Sequence, residues 1–310
     1  MMTRAVGTLT PGTLLYQGRY RIDLLLATTP HRAIYRAWNL ARGRASTIIE
    51  LAPSTDQVAT RALALAAPLV QLDHPALTGF QVVFVEQETV FIGMAFAGGQ
   101  LLDRIMDERL APIQPAAAVR WISQAAEMLE FFAGSLPTWH LGDLSPTALF
   151  VTVEDRTQIL GFEAPLGVLS PTDIAAGLPP GSVAPELSTG QCDARSDVYS
   201  LAASLYLLLT RQHWAGGDPA TETALGAVTP ALPRPLIDAV RRGLATDPAA
   251  RWQDAAAFNG ALLGVMAAPA EATTGNWWES MPAEPESDTQ EMQRVDLTDA
   301  AAAGAAAASI

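Results

Sequence analysis

The chain has 310 residues, 49% of them hydrophobic, and a formal net charge of −13. That length and apolar content suffice for one large two-lobed domain or two small ones and exclude wholesale disorder. The acidity excludes nucleic acid and anionic membrane surfaces as general partners, because no basic stripe exists to neutralise phosphates.

In chain order, residues 1–18 form a short lead-in, and 19–97 read as a β-rich lobe with one helix. Its predicted strands are Tyr20–Leu26, Ala33–Asn39, Thr47–Leu51, Phe80–Val85 and Val90–Ala95. The apolar spacing of Asp56–Ala67 predicts a helix that ends before Pro68. From 98 to 266 the periodicity turns helical, with Pro115–Ala133, Asp197–Thr210, Leu236–Ala245 and Trp252–Gly264 as the clearest segments. His140–Ala184 and His213–Arg234 read as loop-rich. Residues 267–310 carry eight carboxylates against Arg294 alone. With their Pro, Ser, Thr and terminal Ala run, they are expected to form an acidic disordered tail.

Cys192 is the single cysteine, so no internal disulfide can form, and a reducing compartment is expected. The longest apolar run, Leu201–Leu209, is too short to span a bilayer, and no signal peptide is visible, so a cytoplasmic protein is expected. All 19 basic residues are arginines. His31, His74, His140 and His213 are scattered without metal-ligand spacing. Ser145, His140 and Asp143 contain the residue types of a nucleophilic triad, but their crowding in one short loop argues against that geometry.

Several motifs in order resemble the bacterial serine/threonine protein kinase family over roughly residues 12–264. They are Ala184-Pro185-Glu186, then Asp193-Ala194-Arg195-Ser196-Asp197, then Asp247 to Arg251-Trp252. The resemblance implies an α+β, two-lobed protein kinase-like fold, in which Glu186 pairs with Arg251 and Asp197 holds the catalytic-loop backbone. These are scaffold roles, which speak for fold and not for activity.

The positions that carry the family's chemistry are altered together. Where the family has G-x-G-x-x-G-x-V over the ATP phosphates, this chain has Ala27, Thr29 and Arg32 for the three glycines, and Pro30 removes a backbone donor. Where the family has V-A-I-K, the chain has Ser46-Thr47-Ile48-Ile49. Ile49 therefore stands for the phosphate-binding lysine, or Glu50 under a one-residue slip. The partner glutamate should stand near Ala64-Leu65, before His74-Pro75, and no carboxylate occurs there. Loss of both halves leaves no unpaired charge. The catalytic loop keeps Asp143 but has Leu141, Gly142, Ser145 and Ala148 for its histidine, arginine, lysine and asparagine. Gly161-Phe162-Glu163 stands for D-F-G, so the magnesium ligands are absent from the matched frame.

If each missing contact is worth about 3 kcal/mol in the transition state, four such losses amount to about 12 kcal/mol, around nine decades of rate before non-additivity. The resemblance therefore implies an inactive member: a pseudokinase acting as a protein-binding or scaffold module in kinase-type signalling. Its expected partner is a protein, an active kinase or its substrate. Asp143 is the one catalytic remnant, and no ATP, Mg2+ or other cofactor is expected. Ile34, Thr47, Met94, Phe96 and Phe150 mark a vestigial adenine pocket, with Met94–Ala97 as the hinge. Two alternatives are an atypical phosphotransferase, with Arg32, Arg36 or Arg44 supplying charge and Asp143 as base, and a metal-independent ATP-binding sensor. Ser170 and Thr172 are candidate hydroxyls in the activation segment. Trp277-Trp278 in the tail is a candidate anchor for a partner or for the chain's own domain.

Overall fold

The computed structural model describes residues 6–51, 55–69, 80–179, 181–216 and 232–267. The first lobe is one antiparallel sheet of β1 (Leu14–Leu15), β2 (Tyr20–Thr28), β3 (Arg32–Asn39), β4 (Arg44–Leu51), β5 (Phe80–Glu86) and β6 (Thr89–Ala95). Its strand order is β1-β2-β3-β4-β6-β5. The five predicted strands are all present, each longer than expected by one to three residues. Helix α1 (Asp56–Ala66) starts where the Thr55 hydroxyl accepts from the Val58 N–H, and it packs on β5 and β6.

Alternation along these strands sorts the side chains between two cores. Ile34, Ile49, Ile92 and Met94 face the helical lobe and belong to a buried cluster that runs on through Phe162 into Leu201. Tyr35, Ala37, Ile48 and Phe91 face the other way. There the lead-in covers them: Leu15 is buried, Val6, Leu9 and Tyr16 pack alongside, and the Gly7 N–H donates to Glu50. The lead-in is thus part of the lobe, a role that its lack of periodicity concealed.

The second lobe contains α2 (Leu102–Glu108), α3 (Pro115–Ser135), α4 (Pro171–Gly177), α5 (Ala194–Thr210), α6 (Arg234–Gly243) and α7 (Ala255–Ala267). A small sheet of β7 (Gly99–Leu101), β8 (Leu149–Thr152) and β9 (Thr157–Ile159) lies within it. The stretch His140–Ala184, expected as loop, therefore holds two strands and a helix, each too short to show a period. Three helix starts differ from expectation: α6 begins two residues early, at Arg234, and the other two differ for local reasons. α5 begins earlier because Asp193 and Ser196 form a reciprocal capping box. α7 begins later because Trp252 is held outside it, donating to the Ala239 carbonyl at 3.0 Å under the Arg242 guanidinium. Among the described residues, no helix is long and apolar enough to cross a membrane. His74-Pro75 and residues 268–310, with Trp277-Trp278, lie outside the described residues.

Candidate functional site

The site is built from the β2–β3 hairpin, which replaces the glycine-rich loop. The Thr29 N–H donates to the Arg32 carbonyl at 2.8 Å, while the Thr29 hydroxyl accepts from the N–H groups of His31 and Arg32 at 3.3 and 3.1 Å. This closes a tight turn at Thr29-Pro30-His31-Arg32. Two residues before Ile34, Arg32 shares its face, so its side chain points into the cleft between the lobes.

Arg32 is 2% exposed there, and its guanidinium bonds the Asp143 carboxylate directly. Its Nε lies 3.2 Å from Glu163 Oε1. The second Asp143 oxygen accepts from the Ser145 N–H at 3.0 Å. A Cβ on Gly161 would stand 2.9 Å from Arg32 Nη1, 2.9 Å from the Asp143 carbonyl and 3.1 Å from the Ala148 methyl. An arginine for the third glycine, a glycine for the metal-binding aspartate, an alanine for the asparagine and a glutamate at the end of D-F-G thus fit as one set. The guanidinium takes up the space that an aspartate at 161 would need.

One cation facing two buried carboxylates leaves the second poorly compensated. Burial pushes Glu163 up to about 7, against the attraction of Arg32 and reinforced by Asp143. Folded Glu163 binds its proton more tightly than unfolded Glu163, so this stabilisation is present at low pH and is lost as pH rises from about 4.5 through 7. Unfolding free energy is expected to fall over that window by on the order of 1–3 kcal/mol more than in Glu163→Gln, measured by urea denaturation at pH 5 and 7.5. Burial also raises Asp197, to about 7, but that residue is common to both proteins, so the difference isolates Glu163. Equal pH slopes would refute the assignment.

The hairpin tip is seated on the activation segment. A Cβ on Gly177, the last residue of α4, would come within 1.9 Å of His31 Nε2. Burial, and then the nearby Arg32, lower the His31 pKa, which favours a neutral imidazole. Gly177→Ala is expected to unseat the tip, read as faster amide exchange at His31 and Arg32 without global unfolding. Ser170 caps α4, its hydroxyl accepting from the Asp173 N–H at 3.2 Å and meeting the Thr172 hydroxyl at 2.7 Å.

Beneath this clasp of Arg32 on Asp143 and Glu163, one face of α5 holds the catalytic loop. Asp197 accepts from the N–H groups of Leu141 and Gly142 at 3.0 and 2.7 Å. Ser200 and Ser204 donate to the carbonyls of Gly142 and Leu144 at 3.0 and 2.7 Å. Gly142 has φ 69°, and a Cβ there would press on Leu187 and Cys192, which explains why no arginine stands at this position. Burial pushes the Cys192 thiol well above its ordinary range, as suits a packing residue. Glu186 and Arg251 form a bidentate pair at 2.6 and 2.8 Å.

The slip at the lysine position is resolved by the strand faces. Ile49 points into the interlobe core, whereas Glu50 lies on the opposite face and accepts from the Tyr35 hydroxyl at 2.6 Å. Of the residues expected to mark an adenine pocket, Ile34, Met94 and Phe150 lie in that same buried cluster, and Thr47 pairs with Met94. Phe96 is half-buried under the Arg36 guanidinium at 5.6 Å. Of the three arginines considered as phosphate ligands, Arg32 alone bonds Asp143. Ser145 bonds Thr147 at 2.9 Å, while His140 faces Asp197 at 3.9 Å, so the imagined triad is not assembled. Among the described residues, no cluster of His, Cys, Asp or Glu could hold a metal ion.

In the sequence Arg32 stands as a replaced glycine and as a candidate source of phosphate-binding charge, and Glu163 as a misplaced carboxylate; their pairing around Asp143 is not evident there. One signal was available: Arg32 is the only charged side chain in the replaced loop, and buried Asp143 had lost every cation the family supplies.

A β-sheet lobe over a helical lobe, with the catalytic loop held from a central helix, is the protein kinase-like fold, and comparisons agree. No family model matches the chain. It is 26% identical over 293 residues to the serine/threonine-protein kinase pkn3 of Myxococcus xanthus, covering 83% of this chain and 52% of that protein. It therefore spans about half the length of this curated relative. Among solved structures, a mutant PknI kinase domain of Mycobacterium tuberculosis aligns with TM-score 0.65 and 20% identity, over 83% of this chain and 99% of the other. PpkA-294 in its apo form gives 0.63 and 20%, over 82% and 99%. The pseudokinase domain of BIR2, an immune regulator of the RLK/Pelle family, gives 0.59 and 18%, over 78% and 80%. The chain has the protein kinase-like fold, and the sequence relative it matches is a bacterial serine/threonine-protein kinase.

Proposed function

We propose that the protein is a pseudokinase: a kinase-fold module that binds another protein, an active kinase or its substrate, and does not transfer phosphate. The observation that carries this reading is the Arg32 guanidinium bonded to Asp143 and close to Glu163. It satisfies the carboxylate that would otherwise accept the substrate proton, and it fills the space beside Gly161 where a metal-binding side chain would stand. Neither a lysine nor the paired Asp and Asn remain to hold phosphates or Mg2+.

The test is thermal denaturation with ATP, with and without Mg2+, beside phosphate transfer from labelled ATP to a general protein substrate. No metal-dependent rise in Tm and no transfer above the Asp143→Asn variant are expected. A metal-dependent rise of several degrees that disappears in Asp143→Asn would overturn the inactive reading. A rise insensitive to chelator would mark a nucleotide sensor instead. The binding role is checked by co-purification from the native cell with the intact chain. Failure to enrich any protein would count against it.

A further inference from the structure

On the hinge side of the first lobe lies a depression of about 450 Å3, lined by Arg42, Arg44, Phe80, Gln81, Phe96 and Gln158 and by none of the clasp residues. No carboxylate lines it, although the chain carries a net charge of −13. Arg42 and Arg44 are exposed and enter no ion pair among the described residues. Both amide atoms of Gln81 are buried without a partner, as is Nε of the neighbouring Arg36, which lies over Phe96. Two exposed guanidinium groups and two half-buried aromatic rings line one concave surface, above the unsatisfied Gln81 amide, and form a site for a ligand that is both acidic and aromatic.

We propose that its occupant is the chain's own segment from Gly275 to Asp288. That segment supplies Trp277 and Trp278 beside Glu279, Glu284, Glu286 and Asp288 and contains no basic residue. The indole faces suit Arg36 and Phe96, and the carboxylates suit Arg42 and Arg44. The reach is sufficient. Gln158 follows Thr157, whose N–H donates to Gln124 of α3, while Asn259 of α7 donates to Glu130 of the same helix. These two points lie about 9 Å apart along α3, and the end of α7 is about 12 Å beyond Asn259. The roughly ten residues from Ala267 to Trp277 extend up to roughly 33 Å, enough from either direction. Docking there fastens the tail to the hinge and shields the basic patch from other acidic segments.

The test uses the full chain with Cys192→Ser, so that Ser280→Cys is the single thiol and carries a benzophenone label. Illumination is expected to cross-link the label within the same molecule to peptides containing residues 40–44, 80–82, 95–97 or 158. Arg42→Glu with Arg44→Glu should cut the yield at least tenfold. Adding Glu279→Arg, Glu284→Arg and Glu286→Arg to that variant should restore it. Cross-links elsewhere, cross-links between two copies, yields indifferent to Arg42 and Arg44, or no rescue by the reversed charges would each overturn the proposal.

Discussion

Arg32→Ala is expected to destabilise the protein by about 3–5 kcal/mol, a fall in Tm on the order of 10 °C, although a surface hairpin residue would ordinarily be tolerated. The size comes from what stays behind. Asp143 and Glu163, 5% and 3% exposed, would be left as two buried carboxylates with no cation between them. Arg32→Lys should recover part of the loss, since a compact ammonium can meet one carboxylate but cannot fork between two. The decisive comparison is Arg32→Met with Asp143→Asn and Glu163→Gln, which removes all three charges while keeping an amide oxygen at position 143 as acceptor for the Ser145 N–H. If charge is the cause, calorimetry finds this triple variant well above Arg32→Ala. If the two melt together, the hairpin is held by packing, and the clasp reading fails.

The second large effect is expected at Arg251. It is fully buried, forms the bidentate pair with Glu186, and donates to the carbonyls of Ala245, Thr246 and Arg195 at 2.6, 3.0 and 3.1 Å. Arg251→Ala therefore strands one carboxylate and three carbonyls at once, and a loss of about 4 kcal/mol or more is expected. Glu186→Gln should cost less, because an amide oxygen can still accept from Arg251 and from the Ser196 hydroxyl, now at 2.8 Å. Burial pushes Glu186 up, but hydrogen bonds from Arg251 and Ser196 hold it below its ordinary value. Its stabilisation is therefore present above the unfolded pKa and lost as pH falls through the lower folded one. Urea titrations at pH 7 and pH 3 of wild type and Glu186→Gln check this: the gap between them should narrow in acid.

What could be inferred without coordinates follows the range of the forces involved. Strands β2 to β6 and helices α1, α3, α5 and α6 declare themselves through period and caps, which are local properties. Glu186, Asp197 and Arg251 were placed through motif order, and their contacts have the form that the resemblance implied. The clasp joins residues 111 positions apart, and nothing local in Thr29-Pro30-His31-Arg32 says where a guanidinium will point. Strand parity could have put Arg32 on the face of Ile34, but only the closure of the lobes brings Asp143 and Glu163 to it. The lysine-position ambiguity had the same cure, since Glu50 is explained once Tyr35 and Gly7 are seen on its face.

The lack of room for a Cβ at Gly161, beside Arg32 and the Asp143 carbonyl, also bears on which substitutions the site admits. An aspartate placed at 161 would collide with the arginine, so that substitution is disfavoured while Arg32 stands. Removing Arg32 first exposes two unmatched charges and lowers stability before any activity is gained. Each single step toward a metal-binding cleft is thus opposed by the other residue, and Arg32 and Gly161 act together as a ratchet.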